Sequence, residues 1–266
     1  EVIGRCFDDW APARPTELAQ GGWFIEQMES RGMTDIYAAL EAIKTMPSEP
    51  SRPMIAIMIS DGRPTKGLQD NFEIIQRFSD SNRGRVSVFS FGAGQNVNRF
   101  LLDFLSQKNR GASRIVRELA AIPSELVALV QEIGRPVLTD LSHRWSGVDE
   151  TEIYPKLLTH LYLDRPLTVV GRVPADAADA GVRILGRSGT NSYDMVFGLD
   201  LRTGSPGGPA LRDTWVRQKL AWLVGEHIRT RDPRYRDEAV ALARRLGPTM
   251  PYAAELGLPD APVRAD

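Results

Sequence analysis

Residues 54–65 read MIAIMISDGRPT, and this stretch decides the fold. Met54-Ile55-Ala56-Ile57-Met58-Ile59 is an unbroken apolar run of strand length. Polarity switches at Ser60-Asp61-Gly62, and Pro64, which has no amide hydrogen, opposes continuation of a strand. An unbroken apolar run suits a strand buried on both faces, as in a parallel sheet covered by helices. The expectation is a central strand with Asp61 at its carboxyl end, where open α/β sheets hold their ligands. The plainer alternative makes Asp61-Gly62 a turn that closes a core strand.

Working outward, residues 70–80 place Phe72, Ile75 and Phe78 at helical spacing, and RVSVFSF over residues 85–91 reads as a second strand ending in Gly92-Ala93-Gly94. Residues 96–108 form an amphipathic helix with an Asn cap, stopped by Asn109-Arg110-Gly111. A short strand over Ser113–Val116 and a helix over residues 123–133 follow. Upstream, residues 2–10 suggest a short strand or hairpin. Thr16 opens a helix that Gly32 breaks, and Thr34-Asp35 opens another with Ile36, Leu40 and Ile43 on one face. Helix and strand alternate at ~30-residue spacing, the period of a βαβ unit, so residues 1–135 are expected to be an α/β domain on a partial, doubly wound parallel sheet.

From Pro136 the texture changes. Residues 137–141, 167–173, 181–185 and 193–201 are strand-like with no helices between them, which predicts a small antiparallel β unit over residues 136–205. TGSPGGP at residues 203–209 is a loop, and residues 206–266 are expected to hold two helices, over 211–229 and 237–246, and a loose tail from 255. Trp215 and Trp222 are seven apart and share a helix face, read as core in preference to a docking surface.

The formal net charge of -1 gives no support to nucleic-acid binding, and no apolar run approaches the ~20 residues of a membrane span. Cys6 is the single cysteine, so neither an internal disulfide nor a cysteine-rich metal site can form. His143, His160 and His227 lack metal-ligand spacing and read as ordinary core or surface histidines. There is no G-x-S-x-G, H-E-x-x-H, Walker A or G-x-G-x-x-G string, so an enzyme is not expected.

Three strings in this order carry a resemblance: Gly32-Met33-Thr34-Asp35 at a helix start, Ile59-Ser60-Asp61-Gly62 at a strand end, and Phe89-Ser90-Phe91-Gly92-Ala93-Gly94 closing the next strand. Downstream, residues 96–102 (NVNRFLL), 136–141 (PVLTDL), Tyr154-Pro155 and 167–172 (LTVVGR) extend it along nearly the whole chain. The sequence resembles the von Willebrand factor type A domain, in the version found in inter-alpha-trypsin inhibitor heavy chains and their bacterial relatives. The resemblance implies a Rossmann-like sheet with a metal-ion-dependent adhesion site at its top. There Mg²⁺ (or Mn²⁺) is held by side chains from three loops, and a partner's carboxylate completes the shell. Carried over residue by residue, it makes Thr34 the hydroxyl ligand of the second loop and Asp61 the carboxylate of the third.

The family's first loop, Asp-x-Ser-x-Ser, has no counterpart in this sequence. Three explanations stay open: the chain is the back part of a longer protein, a second chain supplies the missing strand, or the domain is degenerate and has lost its metal. Lacking a central strand, the chain alone is expected to be unstable or rearranged. The leading functional expectation is a non-enzymatic, adhesion-type module for a protein or extracellular-matrix ligand bearing an acidic residue, placed outside the cell or at the envelope by family analogy. The alternative is a metal-free structural or assembly scaffold. Covalent attachment through Asp266 is not expected, because the preceding APVRA does not resemble the motif the animal heavy chains use.

Overall fold

The computed structural model describes residues 3–29, 33–49, 51–205, 207–246, 252 and 255. Gly32, at which the first helix is expected to break, and the tail beyond residue 255 lie outside the described residues. Residues 3–14 carry no helix or strand, where a short strand was expected; Trp10 Nε1 instead donates to the Pro47 carbonyl at 2.6 Å. Helix α1 (Pro15–Glu26) starts with Pro at its first turn, and no side chain caps it, so Thr16 is not its cap. Helix α2 (Ile36–Lys44) is capped by Asp35, whose carboxylate accepts the Ala38 amide at 2.9 Å.

Strand β1 (Met54–Ile59) is followed by helix α3 (Asn71–Asn82), strand β2 (Val86–Ala93), helix α4 (Arg99–Lys108), strand β3 (Ser113–Val116) and helix α5 (Ile122–Ile133). The three strands form a parallel sheet in the order β1-β2-β3, with Met54 opposite Val86 and Ser90 opposite Ser113. β2 is the central strand, and its side chains alternate between two cores. Val86 and Val88 join α2, α3 and α4 on one face, whereas Phe89 and Phe91 meet Leu129 and Ile133 of α5 on the other. Helices therefore cover both faces of β2, as the βαβ alternation predicts.

The position of β1 corrects the sequence reading. It is an edge strand among the described residues, and Ile59 is 63% exposed. An apolar run reports that side chains on both faces favour burial. It does not report how many neighbours the backbone pairs with, so an edge strand and a central strand look alike in sequence. α1 shows the same lack of cover: none of its residues is buried, and Trp23 is 63% exposed.

Strand β4 (Pro136–Ser146) opens the second sheet, which runs antiparallel in the order β6 (Leu161–Tyr162), β4, β8 (Asp179–Ser188), β9 (Asn191–Asp200). β5 (Ile153–Tyr154) pairs with β7 (Val170–Gly171), so the strand expected over residues 167–173 shrinks to two residues. Helix α6 (Pro209–Thr230) buries Trp215, Leu220, Leu223 and Ile228, and helix α7 (Pro233–Leu246) packs on it. Trp215 and Trp222 both stack near Tyr154, at centroid distances of 6.2 and 5.8 Å. Trp215 is a core residue and the half-buried Trp222 packs against the same cluster, which α6 shares with α2, α3 and α4.

Two buried asparagines lock the α/β part. Asn82 Nδ2 donates to Val86 O at 2.8 Å and to Asn109 Oδ1 at 2.7 Å, and Val86 N donates back to Asn82 Oδ1 at 2.9 Å. Asn109 Nδ2 in turn donates to the Leu105 carbonyl at 2.7 Å. The donors and acceptors of both amides are thereby engaged, which is the condition for burying them without a large penalty.

Candidate functional site: the loop face of the parallel sheet

Three loops meet at the carboxyl end of the parallel strands: residues 33–35, 60–70 and 94–98. Each leads into a helix whose first turn is capped by a short polar side chain, Asp35 for α2, Asp70 for α3 and Asn98 for α4. An Asn cap was expected for the helix over residues 96–108, and the structure assigns it to Asn98, with α4 starting at Arg99. At the start of α2 the carboxylate of Asp35, one residue after Thr34, takes the role.

The loops are tied to one another through backbone groups. Thr34 N donates to Thr65 Oγ1 at 2.8 Å, and the amides of Thr65 and Lys66 donate to the Thr34 carbonyl at 2.9 and 3.2 Å. Asn98 N donates to the Asp61 carbonyl at 2.8 Å, and Arg63 Nε donates to the Asn96 carbonyl at 2.7 Å. Asn98 Nδ2 donates to Asn71 Oδ1 at 3.1 Å, fixing the start of α4 against that of α3.

Two glycines permit this closeness. Gly62 has φ +73°, and a Cβ there would lie 2.9 Å from Leu102 Cγ and 3.0 Å from the Asn98 carbonyl. Gly67 has φ +64°, and a Cβ there would lie 2.3 Å from Asp35 Oδ2. Both positions combine a left-handed backbone with a neighbour that a Cβ would overlap, so only glycine fits without displacement.

Asp61 is exposed, and its Oδ1 accepts the Arg63 amide at 3.0 Å in an Asx turn. Thr34 is also exposed. The turn and ligand readings of Asp61 are compatible, since a carboxylate offers about four lone-pair sites. Thr34 and Asp61 thus stand on neighbouring loops joined through Thr65. Sequence reasoning missed Thr65, because a threonine after Pro64 carries no spacing signal and acquires its partner only from the fold.

The donor chemistry suits Mg²⁺ in kind and falls short in number. Mg²⁺ takes six hard oxygens and keeps several waters, so one hydroxyl and one carboxylate are ligands of the right type. No group of three His, Cys, Asp or Glu side chains that could hold a metal occurs among the described residues. Three helix N-termini at this end add partial positive charge, which the Asp35 and Asp70 carboxylates partly offset at α2 and α3. No helix among the described residues is long and apolar enough to cross a membrane.

No family model matches the chain. Among curated proteins it is similar to inter-alpha-trypsin inhibitor heavy chain H6 of Homo sapiens, 26% identical over 243 residues, which covers 79% of this chain and 18% of that protein. It is also similar to heavy chain H1 of Bos taurus, 23% identical over 184 residues, covering 65% of this chain and 20% of the relative. The chain therefore spans about a fifth of the length of these relatives. Among solved structures, the von Willebrand factor type A protein from Catenulispora acidiphila aligns with a TM-score of 0.54 at 13% identity, over 88% of this chain and 65% of that one. The homologues are inter-alpha-trypsin inhibitor heavy chains, and the fold is that of von Willebrand factor type A domains.

Proposed function

We propose that this chain is a non-enzymatic protein-interaction module that engages its partner through the loop face of the parallel sheet. The observation that supports the proposal is the pair of hydrogen bonds between Thr34 and Thr65, which ties the Thr34 loop to the loop that carries Asp61. In this reading Thr34 Oγ1 and a carboxylate oxygen of Asp61 supply two ligands of a six-oxygen Mg²⁺ or Mn²⁺ shell. Water, further oxygens and an acidic side chain of a protein or matrix partner supply the rest. The metal contributes a fixed double positive charge that selects a carboxylate. The residues of this chain orient the hydroxyl and carboxylate and hold the loops in register.

Titration of the chain with Mn²⁺, followed by the resonance of the free ion, tests the reading. Saturable binding of one ion, lost in Asp61→Ala, weakened in Thr34→Val and reversed by chelator, is the expected result. A titration that is not saturable, or that is unchanged in Asp61→Ala, removes the metal.

The metal-free scaffold is the second reading, and the incompleteness of the donor set favours it. In that case the loop face remains the partner surface, and chelator has no effect on docking.

A further inference from the structure

We propose that the cavity bounded by α6, α7 and the β5–β7 pair binds a small organic anion with an apolar body, such as an aryl or alkyl carboxylate or sulfonate. The site is independent of the loop face and uses neither Thr34 nor Asp61. Its volume is about 570 Å³, within the span of roughly 300–1,000 Å³ that organic ligands occupy. The floor is apolar: Val170, Trp215 and Val216 are buried, and Leu242 of α7 closes one side.

The charges of the lining do not balance. Glu238 is its one acidic residue among the described ones, and it is committed to Lys219 at 3.4 Å. Lys219 is further engaged by Glu152 at 3.0 Å, so its ammonium is shared between two carboxylates and is not free for a ligand. Arg172 and Arg212 remain. The Arg172 guanidinium lies 5.3 Å from the centre of the Trp215 ring. Among the described residues, Arg212 has a 3.8 Å, solvent-exposed contact to its neighbour Asp213, a kind of pair that contributes little. The first turn of α6, capped by no side chain, opens on the same rim at Gly208. An apolar floor with two arginines in its lining fits a ligand with a hydrocarbon or aromatic body and one anionic head, which arginine binds through paired N–H donors.

Fluorescence titration of the chain with 8-anilinonaphthalene-1-sulfonate, alongside N-phenyl-1-naphthylamine as the same body without the sulfonate, tests the site. A saturable 1:1 component is expected for the sulfonate. Ala241→Trp, which fills the mouth from the exposed side of α7, abolishes that component and thereby separates it from dye adhering to apolar surface elsewhere. Removal of charge-assisted hydrogen bonds in the Arg172→Gln/Arg212→Gln double variant weakens sulfonate binding about tenfold and leaves the neutral amine unchanged. Arg212→Gln alone, at an exposed position in the first turn of α6, leaves the Arg172–Trp215 contact intact and shows the same direction, which separates lost charge from any disturbance of Trp215. Sulfonate binding that survives Ala241→Trp, or equal affinity for the two dyes, overturns the proposal.

Discussion

Thr34 and Thr65 exchange two hydrogen bonds: the Thr34 amide donates to Thr65 Oγ1 at 2.8 Å, and the Thr65 amide donates to the Thr34 carbonyl at 2.9 Å. This reciprocal pair fixes the start of α2 against the loop that carries Asp61. Thr65→Val keeps the shape of the side chain and removes the acceptor. Because the Thr34 amide lies near solvent and water can replace the partner, the expected cost is about 1 kcal/mol in urea unfolding. Thr65→Ser should restore most of it. On the proposed metal reading, Thr65→Val also weakens Mn²⁺ binding although both ligands are intact. Equal behaviour of the Val and wild-type chains in both measurements would show that the pair organises nothing.

Gly62 follows Asp61 directly and carries the turn. Gly62→Ala places a Cβ on a backbone with φ +73° and within 3.0 Å of both Leu102 and the Asn98 carbonyl. Left-handed strain of roughly 1–2 kcal/mol and overpacking of roughly 1–3 kcal/mol add, so a loss of about 3 kcal/mol is expected in denaturant unfolding. A loss below about 1 kcal/mol would mean that α4 yields easily and that the loop face is less rigid than the contacts indicate.

The α/β alternation was legible because β2 and its flanking helices have strong periods. Phe72, Ile75 and Phe78 were placed on a helix and lie in or against the core, and Phe89 and Phe91 share one face of β2. Asp61 was correctly placed at a strand end, since Asp-Gly after an apolar run is turn chemistry. The edge position of β1 was not legible. Strand order is a property of which backbones pair, and Met54–Ile59 is equally apolar with one neighbour or two. β5, β6 and β7 were missed or overextended because each has only two residues, too few for a period-two pattern. The cavity beside α6 was invisible for another reason: Val170, Arg172, Trp215 and Ala241 converge only after α6 and α7 fold back on the β unit.

Asn82 and Asn109 are buried at 2% and 1% exposure and complete each other's hydrogen bonding. Asn82→Leu is close in size but strands the Val86 amide and the Asn109 side-chain oxygen in an apolar setting. Each orphaned buried group costs roughly 1–3 kcal/mol, so a total loss of about 4 kcal/mol is expected. Asn82→Asp retains an acceptor for Val86 but turns a donor into an acceptor facing Asn109 Oδ1, and it should be destabilising as well. Hydrogen exchange at Val86 gives the second readout, with faster exchange expected in Asn82→Leu. Unchanged exchange and stability would show that water substitutes at this site.

His160 gives the stability a pH dependence whose sign follows from its contacts. Its Nδ1 accepts the Asp140 amide at 3.2 Å, which leaves the proton on Nε2 to be donated to Ser87 Oγ at 3.1 Å. Burial, with the nearby Arg110 guanidinium acting in the same direction and Asp140 opposing, pushes its pKa from 6.5 down to about 4. The unfolded chain therefore binds a proton near pH 6.5 that the folded chain refuses until about pH 4. The neutral-histidine contribution is complete above pH 6.5 and is lost progressively as pH falls toward about 4. At about 1.4 kcal/mol for each pKa unit, the loss across this window is about 3 kcal/mol. His160→Gln can keep one donor for Ser87 and one acceptor for Asp140 without titrating. Urea unfolding at several pH values between 7.5 and 4 should then give a steeper decline for the wild-type chain than for His160→Gln, with the two curves separating below pH 6.5. Carboxylates that titrate at the acid end affect both chains alike and cancel in the difference. Parallel curves would mean that His160 takes up its proton at an ordinary pKa, and that the Ser87–His160–Asp140 chain opens to water in the folded protein.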